Sequence, residues 1–261
     1  MPANQLTAVA VCCHDTASAV AAIPSESQEF IFLSTGTWCI VGIESATPLL
    51  SKEALELGFT NERGFNNTFR TLKNIVGLWL VQGLQKVMPN NPDFGTIDKM
   101  ALQCEEPVNL VNPNDPLFYN PDNMLEAFDR YFEKTNQAKP ASYSAYFKCA
   151  YNSLCLSINF YVEKIEELTG KKHGFLHIIG GGSQSVYFCQ TLANVSGKKV
   201  VAGPVEATAL GNILVQAIAN NKISNLQQGR QLVKQSFPTQ VYSTKQQKRN
   251  KLAIRTSFHG L

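Results

Sequence analysis

Short apolar runs alternate with amphipathic stretches along this chain, a pattern typical of proteins that mix strands and helices. The apolar run at residues 6–12 stops at the polar residues 14–16, and a stretch of small residues follows, which predicts a strand, a loop and a helix. Residues 30–34 and 37–43 are apolar and rich in β-branched side chains, and they meet at a Thr-Gly step. They therefore predict an antiparallel hairpin.

Three longer patterns follow in the middle of the chain. Apolar residues recur at helical spacing over residues 74–88 and Pro89 ends the pattern, which predicts a helix of about four turns. The stretch at about 90–140 is rich in Pro and Asn and predicts a loop-rich insertion with one helix near residues 98–104. A long apolar stripe over residues 141–169, followed by a glycine, predicts a long helix.

The second half of the chain predicts a regular alternation of strands and helices. The predicted elements are a strand at 175–179, a glycine loop at 180–182, a helix at 184–195, a strand at 199–201 and a helix at 206–219. Such alternation favours parallel pairing of the strands. From about residue 222 we expect a tail with one or two amphipathic helices. We interpret its basic residues as a solvated helix face; they are Lys245, Lys248, Arg249 and Lys251.

Composition favours one large globular domain. The 261 residues are 44% hydrophobic and 16% charged, which excludes disordered, collagenous and coiled-coil classes. A formal net charge of +3 provides no strong field, so we expect neither nucleic acid nor a membrane surface as a partner. No apolar run approaches the roughly eighteen residues of a membrane span. The expected location is the cytoplasm.

The cysteines agree with that compartment. The chain has seven, an odd number, and no CxxC spacing, which disfavours a closed disulfide framework and a four-thiolate zinc site. We expect Cys12 and Cys13 to be small buried apolar residues rather than nucleophiles. No metal site built from protein side chains is predicted.

Candidate chemistry lies where predicted strands give way to loops. Asp15 follows the first apolar run, where a carboxylate could accept a proton from a substrate hydroxyl. Without further context, the favoured interpretation is that Asp15 or Thr16 caps the following helix. His14 is ambiguous in the same way, because a histidine beside a strand end can be a packed side chain.

Two further junctions offer groups that suit phosphate oxygens. The Ser34–Thr37 turn carries three hydroxyls around one glycine, although the pattern alone favours an ordinary hairpin turn. Gly180, Gly181 and Gly182 link an apolar strand to a helix, so a ligand could approach the backbone closely. The run matches neither the dinucleotide nor the P-loop fingerprint. A nucleotide is nevertheless the ligand we favour there.

In this order and at these distances, the junctions resemble the C-terminal domain of the FGGY family of carbohydrate kinases. The matching segments are HDTASAV (14–20), STGTW (34–38), TNE (60–62), LKNIVGLWLVQ (72–82), HIIGGGSQ (177–184) and AGPVEATALGN (202–212). The resemblance implies an α/β fold, an actin-like, ribonuclease-H-like lobe with a mixed sheet flanked by helices, over residues 1–261. It also implies that the family's N-terminal lobe is absent from this sequence.

The resemblance assigns roles to individual residues. Asp15 is implied as the general base that deprotonates the primary hydroxyl of the sugar as it attacks ATP. The other implied sugar contacts are His14, Thr16 and Asn74, and the implied ATP contacts are Thr37, Gln82 and Gly181. Magnesium is implied as a companion of the nucleotide, held through phosphates and water rather than by a protein cage.

The implied reaction is phosphorylation of L-rhamnulose to L-rhamnulose 1-phosphate, with fuculose and xylulose as alternative sugars. A different class remains open: a non-catalytic actin-like module that binds nucleotide or a partner. We expect the chain to be weakly active or inactive without a second lobe, and an exposed apolar face where that lobe docks favours self-association.

Two details of the sequence bear on the sugar side. If Asn74 and Gln82 share one helix, they lie about 12 Å apart along its axis, so that one end meets the sugar and the other the nucleotide. Arg63 stands where the family usually has glycine, and Cys39 where it often has serine. Arg63 is expected either to alter the loop near the sugar cleft or to point to water.

Overall fold

Seven strands form one mixed sheet in the described part of this computed structural model, residues 8–12, 14–27 and 29–245. The strands are β1 (Ile31–Thr35), β2 (Trp38–Ser45), β3 (Thr60–Arg63), β4 (Phe69–Val76), β5 (Phe175–Gly180), β6 (Lys199–Ala202) and β7 (Gln240–Tyr242). Their order across the sheet is β3-β4-β2-β1-β5-β6-β7. The predicted α/β class with a mixed sheet is therefore confirmed.

Pairing within the sheet follows the expected directions. β1 and β2 form the predicted antiparallel hairpin, with Thr35 opposite Cys39 at its closed end. β1 pairs in parallel with β5, and β5 pairs in parallel with β6, as the strand and helix alternation predicts. β4 is antiparallel to β2 and so runs in the direction of β1.

Nine α-helices lie in the same described residues. They are α1 (Asp15–Ala21), α2 (Lys52–Glu56), α3 (Trp79–Val87), α4 (Phe94–Gln103), α5 (Met124–Lys134), α6 (Tyr143–Thr169), α7 (Val186–Ser196), α8 (Ala207–Ala219) and α9 (Leu226–Ser236). The long helix predicted over 141–169 is confirmed as α6. The Ser142 hydroxyl caps its start, and Gly170 ends it with a left-handed φ of 67°.

The two faces of the sheet bury different helices. Side chains alternate along each strand, so Leu33 and Val41 point to a large core with α3 to α7. Phe32, Leu72 and Ile179 point the other way, into a smaller core with α1, α8 and α9. We call these the α6 face and the α1 face.

One edge of the sheet collects the loops that bear the candidate chemistry. The parallel strands β1, β5 and β6 end there, at Thr35, Gly180 and Ala202. β2 begins and β4 ends at the same edge, because Trp38 pairs with Val76. Ligands of open α/β sheets bind where such strand ends meet. We call it the carboxyl edge.

The prediction of a strand at 6–12 is wrong for the residues that the structure describes. Residues 8–12 belong to no strand and are exposed or half-buried; residues 6 and 7 lie outside the described part. A strand needs a partner for its backbone groups, and none of the seven strands pairs with residues 8–12. The helix predicted after it is present as α1.

The helix predicted over 74–88 is also wrong in its first third. Asn74 lies in β4, opposite Ile40 of β2, and the helix α3 starts at Trp79. At Gly77 the chain passes so close to the turn before β2 that a Cβ atom would lie 2.5 Å from the Trp38 carbonyl carbon. Pairing with β2 therefore takes precedence over the helical spacing.

The insertion is more helical than predicted. The helix expected near 98–104 is present as α4, but the stretch also contains α5, whose apolar side chains Phe128, Tyr131 and Phe132 are buried. The Asn123 side chain accepts hydrogen bonds from Leu125 and Glu126 amides and starts α5. Asn in this stretch is thus a helix cap as well as a loop residue.

The C-terminal tail contains one described helix, α9, and an edge strand, β7, that the sequence analysis did not predict. Of its basic residues, Lys248, Arg249 and Lys251 lie outside the described residues, as does Cys13. Cys12 is half-buried rather than buried. Among the described helices, none has the length and apolar character needed to cross a membrane.

Candidate active site

The carboxylate of Asp15 is exposed at the first residue of α1. His14, not Asp15 or Thr16, caps the helix, because its Nδ1 accepts the Thr16 amide at 3.1 Å. The capping interpretation of Asp15 is therefore wrong. Among the described residues no side chain bonds or ion-pairs with this carboxylate, which leaves it available to a ligand.

Neighbouring helices hold α1 in place. The Thr208 hydroxyl of α8 donates to the Asp15 carbonyl at 3.4 Å, beside the loop that follows β6. At the other end of α1, the Arg230 guanidinium donates to the carbonyls of Val20 and Ala21 at 3.1 and 3.2 Å. These contacts direct the start of α1 toward the carboxyl edge. Thr16 is 6% exposed, so its side chain lies beneath the surface that Asp15 occupies.

A buried threonine joins the hydroxyl-rich turn to the glycine run. The Thr35 hydroxyl donates to the Ile179 carbonyl at 2.7 Å and accepts from the Gly182 amide at 3.0 Å. A Cβ at Gly182 would lie 2.8 Å from that hydroxyl. Gly180 has a φ of 84°, and a Cβ there would lie 2.3 Å from the Thr35 carbonyl oxygen. Packing on Thr35 thus explains two of the three glycines.

The third glycine and the second threonine of the turn are open. Gly181 is exposed, and a Cβ there would meet no atom within 4 Å. Thr37 is exposed, and no described residue bonds its hydroxyl; its carbonyl accepts the Trp79 amide at 3.1 Å. The Thr37 hydroxyl and the open backbone of Gly181 therefore lie on either side of Thr35 at the carboxyl edge.

The structure separates the two residues that the sequence analysis placed on one helix. Asn74 is exposed on β4, and its position opposite Ile40 puts it on the α1 face, where Asp15 begins α1. Gln82 is half-buried on α3, which packs on the α6 face. The spacing of 12 Å along one axis is therefore wrong. Asn74 and Gln82 lie on opposite faces of the sheet and not at the two ends of one helix.

Arg63 lies away from these residues. Its guanidinium sits over the Phe69 ring, 4.3 Å from the centroid, and donates to the Asn67 carbonyl at 3.3 Å. Phe69 begins β4, five residues before Asn74, or roughly 17 Å along the strand. The expectation that Arg63 alters a loop near the sugar cleft is not supported by this placement.

Ionisable groups near the edge are few. Cys39, beside the turn, is buried, and burial raises the pKa of its thiol to about 12, so it stays protonated. Within the described residues, no group of three or more His, Cys, Asp or Glu side chains could hold a metal ion. Two exposed carboxylates lie near this edge, Asp15 at the start of α1 and Glu206 just before α8. Of the two, Asp15 is the one that the family motif implies as the base.

No role for Trp38 is predicted from the sequence. Its indole is 54% exposed and directly follows Thr37 at the carboxyl edge. The signal that could have found it is the alternation along β2, where Cys39, Val41 and Ile43 are buried on the α6 face. By this alternation Trp38 belongs to the α1 face, with Asn74, although its cross-strand partner Val76 packs into the core of the α6 face.

Comparison with known sequences identifies relatives. A family model described as the C-terminal domain of the FGGY family of carbohydrate kinases matches residues 31–220. A rhamnulokinase of Bacillus subtilis is 38% identical over 245 residues, which cover 94% of this chain and 50% of that protein. A rhamnulokinase of Pectobacterium atrosepticum is 40% identical over 242 residues, 92% of this chain and 48% of that protein. The chain spans about half the length of these curated relatives.

Solved structures share the fold. Plasmodium falciparum glycerol kinase with ADP has a TM-score of 0.66 and 13% identity, with 94% of this chain and 49% of that chain covered. A ligand-bound xylulose kinase from Lactobacillus acidophilus has a TM-score of 0.65 and 10% identity, with coverages of 94% and 48%. At these identities the likeness concerns the fold alone, and it confirms the expected actin-like lobe.

Proposed function

This chain belongs to the FGGY family of carbohydrate kinases, and we propose that it forms the C-terminal lobe of an enzyme that phosphorylates L-rhamnulose with ATP. The observation that carries the proposal is the unpaired, exposed carboxylate of Asp15 beside an edge made of hydroxyl and glycine groups. The choice of sugar rests on the rhamnulokinases at 38–40% identity. In this proposal residues 1–261 form one lobe, with the insertion at about 90–140.

In the proposed reaction Asp15 accepts the proton of the sugar's C1 hydroxyl. The oxygen attacks the γ-phosphorus, the bond to the β-phosphate oxygen breaks, and ADP and L-rhamnulose 1-phosphate form. Phosphoryl transfer depends mainly on positioning and charge stabilisation, so one base in a closed cleft is sufficient. The exposed position of Asp15 allows the hydroxyl to approach it.

The remaining site residues divide between the two substrates. Asn74 lies on the same face as α1, which supports a sugar contact together with the exposed His14, whereas the sugar contact of Thr16 rests on the family motif alone because its side chain is buried. The Thr37 hydroxyl would donate to phosphate oxygens, and Gly181 would accept the adenosine against its open backbone. Gln82 reaches the nucleotide from α3, whose first residue, Trp79, bonds the Thr37 carbonyl.

Magnesium is proposed as part of the nucleotide complex. The groups at the carboxyl edge are hydroxyls and backbone amides, which suit phosphate oxygens, and the described residues provide no cluster of metal ligands. The ion would therefore be held by ATP phosphates and water, and when bound it would neutralise phosphate charge. Asp15 remains the base in this arrangement.

A second lobe is required by the proposal. The matched rhamnulokinases are about twice as long as the region that this chain covers, so we propose that the other half of the cleft is a lobe of similar length. The cytoplasm is the proposed compartment, because Cys39, Cys149, Cys155 and Cys189 are buried thiols.

The proposal is tested with Asp15→Asn and Thr37→Val. ATP binding is measured by calorimetry on this chain, and turnover is measured after joining it to the N-terminal half of the Bacillus subtilis rhamnulokinase. Asp15→Asn should lower kcat by about 100-fold or more and leave the Kd for ATP unchanged. Thr37→Val should raise that Kd by about tenfold, because one charge-assisted hydrogen bond is lost.

Asp122→Asn, an exposed carboxylate of the insertion, is the matched control and should change neither quantity. An unchanged kcat in Asp15→Asn would remove Asp15 from the mechanism. If the chain binds no ATP and the joined protein phosphorylates no sugar, the proposed function is wrong.

A further inference from the structure

Trp38 is an exposed aromatic residue at the carboxyl edge whose role nothing so far explains. Its side chain is 54% exposed, and it forms no hydrogen bond or ring contact with any described residue. The other tryptophan of the chain, Trp79, is half-buried and donates from Nε1 to the Phe118 carbonyl at 2.9 Å. A single exposed indole is common on protein surfaces, so only the residues around it can indicate a function.

Register places the indole beside the proposed sugar contact. Trp38 pairs with Val76, and Ile40 pairs with Asn74, so Trp38 and Asn74 are diagonal neighbours on two adjacent strands. Diagonal residues on one face lie about 7–8 Å apart, within reach of an aromatic side chain. Ile40, half-buried, lies next to both. The surface beside the proposed sugar contact thus has a polar part, Asn74, and an apolar part, Trp38 and Ile40.

An independent contact supports the choice of face. Glu44 follows the same alternation along β2 as Trp38 and Ile40, and its carboxylate accepts from Arg230 of α9 at 3.2 Å. Arg230 also bonds the carbonyls at the end of α1. The even-numbered residues of β2 therefore face α9 and α1, the helix that begins with Asp15.

The backbone that carries the indole is held firmly. The Gly36 amide donates to the Trp38 carbonyl at 2.9 Å, and Gly77 passes so close that a Cβ there would lie 2.5 Å from the Trp38 carbonyl carbon. Trp38 also starts the longest ladder of the sheet, opposite Val76. An aromatic surface on a fixed backbone is preorganised for a ligand and costs little entropy on binding.

The proposed sugar has one apolar end. L-rhamnulose carries hydroxyl and carbonyl oxygens on C1 to C5 and a methyl group at C6. We propose that the Trp38 indole covers this C6 methyl group and thereby selects 6-deoxyketoses over ketohexoses with a hydroxyl at C6. The inference rests on the proposed function and adds the residue that determines sugar specificity. Burial of a methyl group against an indole removes apolar surface from water, whereas a C6 hydroxyl would lose hydrogen bonds there.

L-rhamnulose and L-fructose provide a matched pair of ligands, since they differ only by the hydroxyl at C6. In the Trp79→Phe variant of this chain, Trp38 is the one remaining tryptophan. Its fluorescence should change on titration with L-rhamnulose, and the Kd for L-fructose should be about tenfold higher.

Kinetics of the joined two-lobed protein provide the second readout. Trp38→Ala should lower the ratio of kcat/KM for L-rhamnulose over L-fructose by about tenfold or more, with the KM for ATP unchanged. Trp38→Phe should retain most of the ratio. Phe175→Ala, which removes an exposed aromatic ring at the opposite end of β5, is the control and should leave the ratio unchanged.

The outcomes separate the inference from the function on which it rests. If Trp38→Ala phosphorylates L-rhamnulose with an unchanged sugar ratio, the inference is wrong and the proposed kinase stands. A higher KM for ATP in place of a changed ratio would assign the indole to the nucleotide. Quenching on addition of the second lobe alone, with no response to sugar, would assign it to the lobe interface. Absence of any turnover in the unsubstituted joined protein would count against the kinase itself and, with it, against the inference.

Discussion

His177, on β5, is a buried histidine that makes folding sensitive to pH. Burial, aided by the nearby Arg230 charge, lowers the pKa of its imidazole to about 4. Its Nδ1 has no partner among the described residues, and its ring meets Phe30 edge-on with centroids 5.2 Å apart. The folded protein therefore keeps this ring neutral, whereas the unfolded chain protonates it near pH 6.5.

The sign of the effect follows from proton binding. Between pH 6.5 and about 4 the unfolded state binds the proton and the folded state does not, so stability is fully present above 6.5 and is lost as pH falls. His177→Leu should remove this loss, because leucine does not titrate and leaves no orphaned polar atom. Urea unfolding at pH 7.5 and pH 5 measures it. The unsubstituted protein should lose roughly 2 kcal/mol more than the variant between the two pH values. An equal loss in both proteins would contradict the prediction.

At the scale of elements, α1 depends on its neighbours. It has seven residues, too few for a stable helix by itself, and Asp15 is its first residue. Gly211 of α8 allows the two helices to touch, because a Cβ there would lie 1.7 Å from the Ser18 carbonyl oxygen. The position of the proposed base is thus set by the packing of a second helix.

Gly211→Ala should force α1 and α8 apart. We expect a loss of about 1–3 kcal/mol in the free energy of unfolding, measured by urea titration, together with a lower kcat in the joined protein because Asp15 moves. Gly95→Ala, on the exposed side of α4, is the same substitution without a backbone clash and should change stability by no more than about 0.5 kcal/mol. If both variants are equally stable, the close approach of α8 does not hold α1.

At the scale of the whole molecule, the proposed chemistry needs a closed cleft. Asp15 and Thr37 are both exposed in this lobe, so water reaches the base and the phosphate side alike. Positioning of two substrates provides much of the rate of a phosphoryl transfer, and an open surface cannot hold them in line.

We therefore expect this chain alone to release ADP in the presence of sugar and ATP at least about 100-fold more slowly than the joined two-lobed protein. A coupled assay of ADP release measures both. Calorimetry should still detect ATP on the single lobe, since the proposed adenosine and phosphate contacts are on it. Equal rates for the two proteins would show that the second lobe contributes nothing to catalysis.

The local pattern of the chain predicted the elements whose signals are local. The hairpin of β1 and β2, the long helix α6 and the alternation from β5 to α8 follow from periodicity, caps and glycines within a few residues of each element. The motif residues were also identifiable from the sequence. Asp15, Thr37 and Gly181, whose roles the family resemblance implies, are all exposed.

Tertiary structure decided what depends on residues distant in sequence. The apolar spacing from Ile75 to Leu84 suits a helix, but pairing with β2, whose residues lie 24 to 38 positions earlier, makes residues 69–76 a strand and moves Asn74 to the face opposite Gln82. Likewise, Gly180 and Gly182 are required by Thr35, roughly 145 residues away. The spacing of apolar residues can be read directly from a sequence. Hydrogen bonds and close packing between distant segments arise only when the chain has folded.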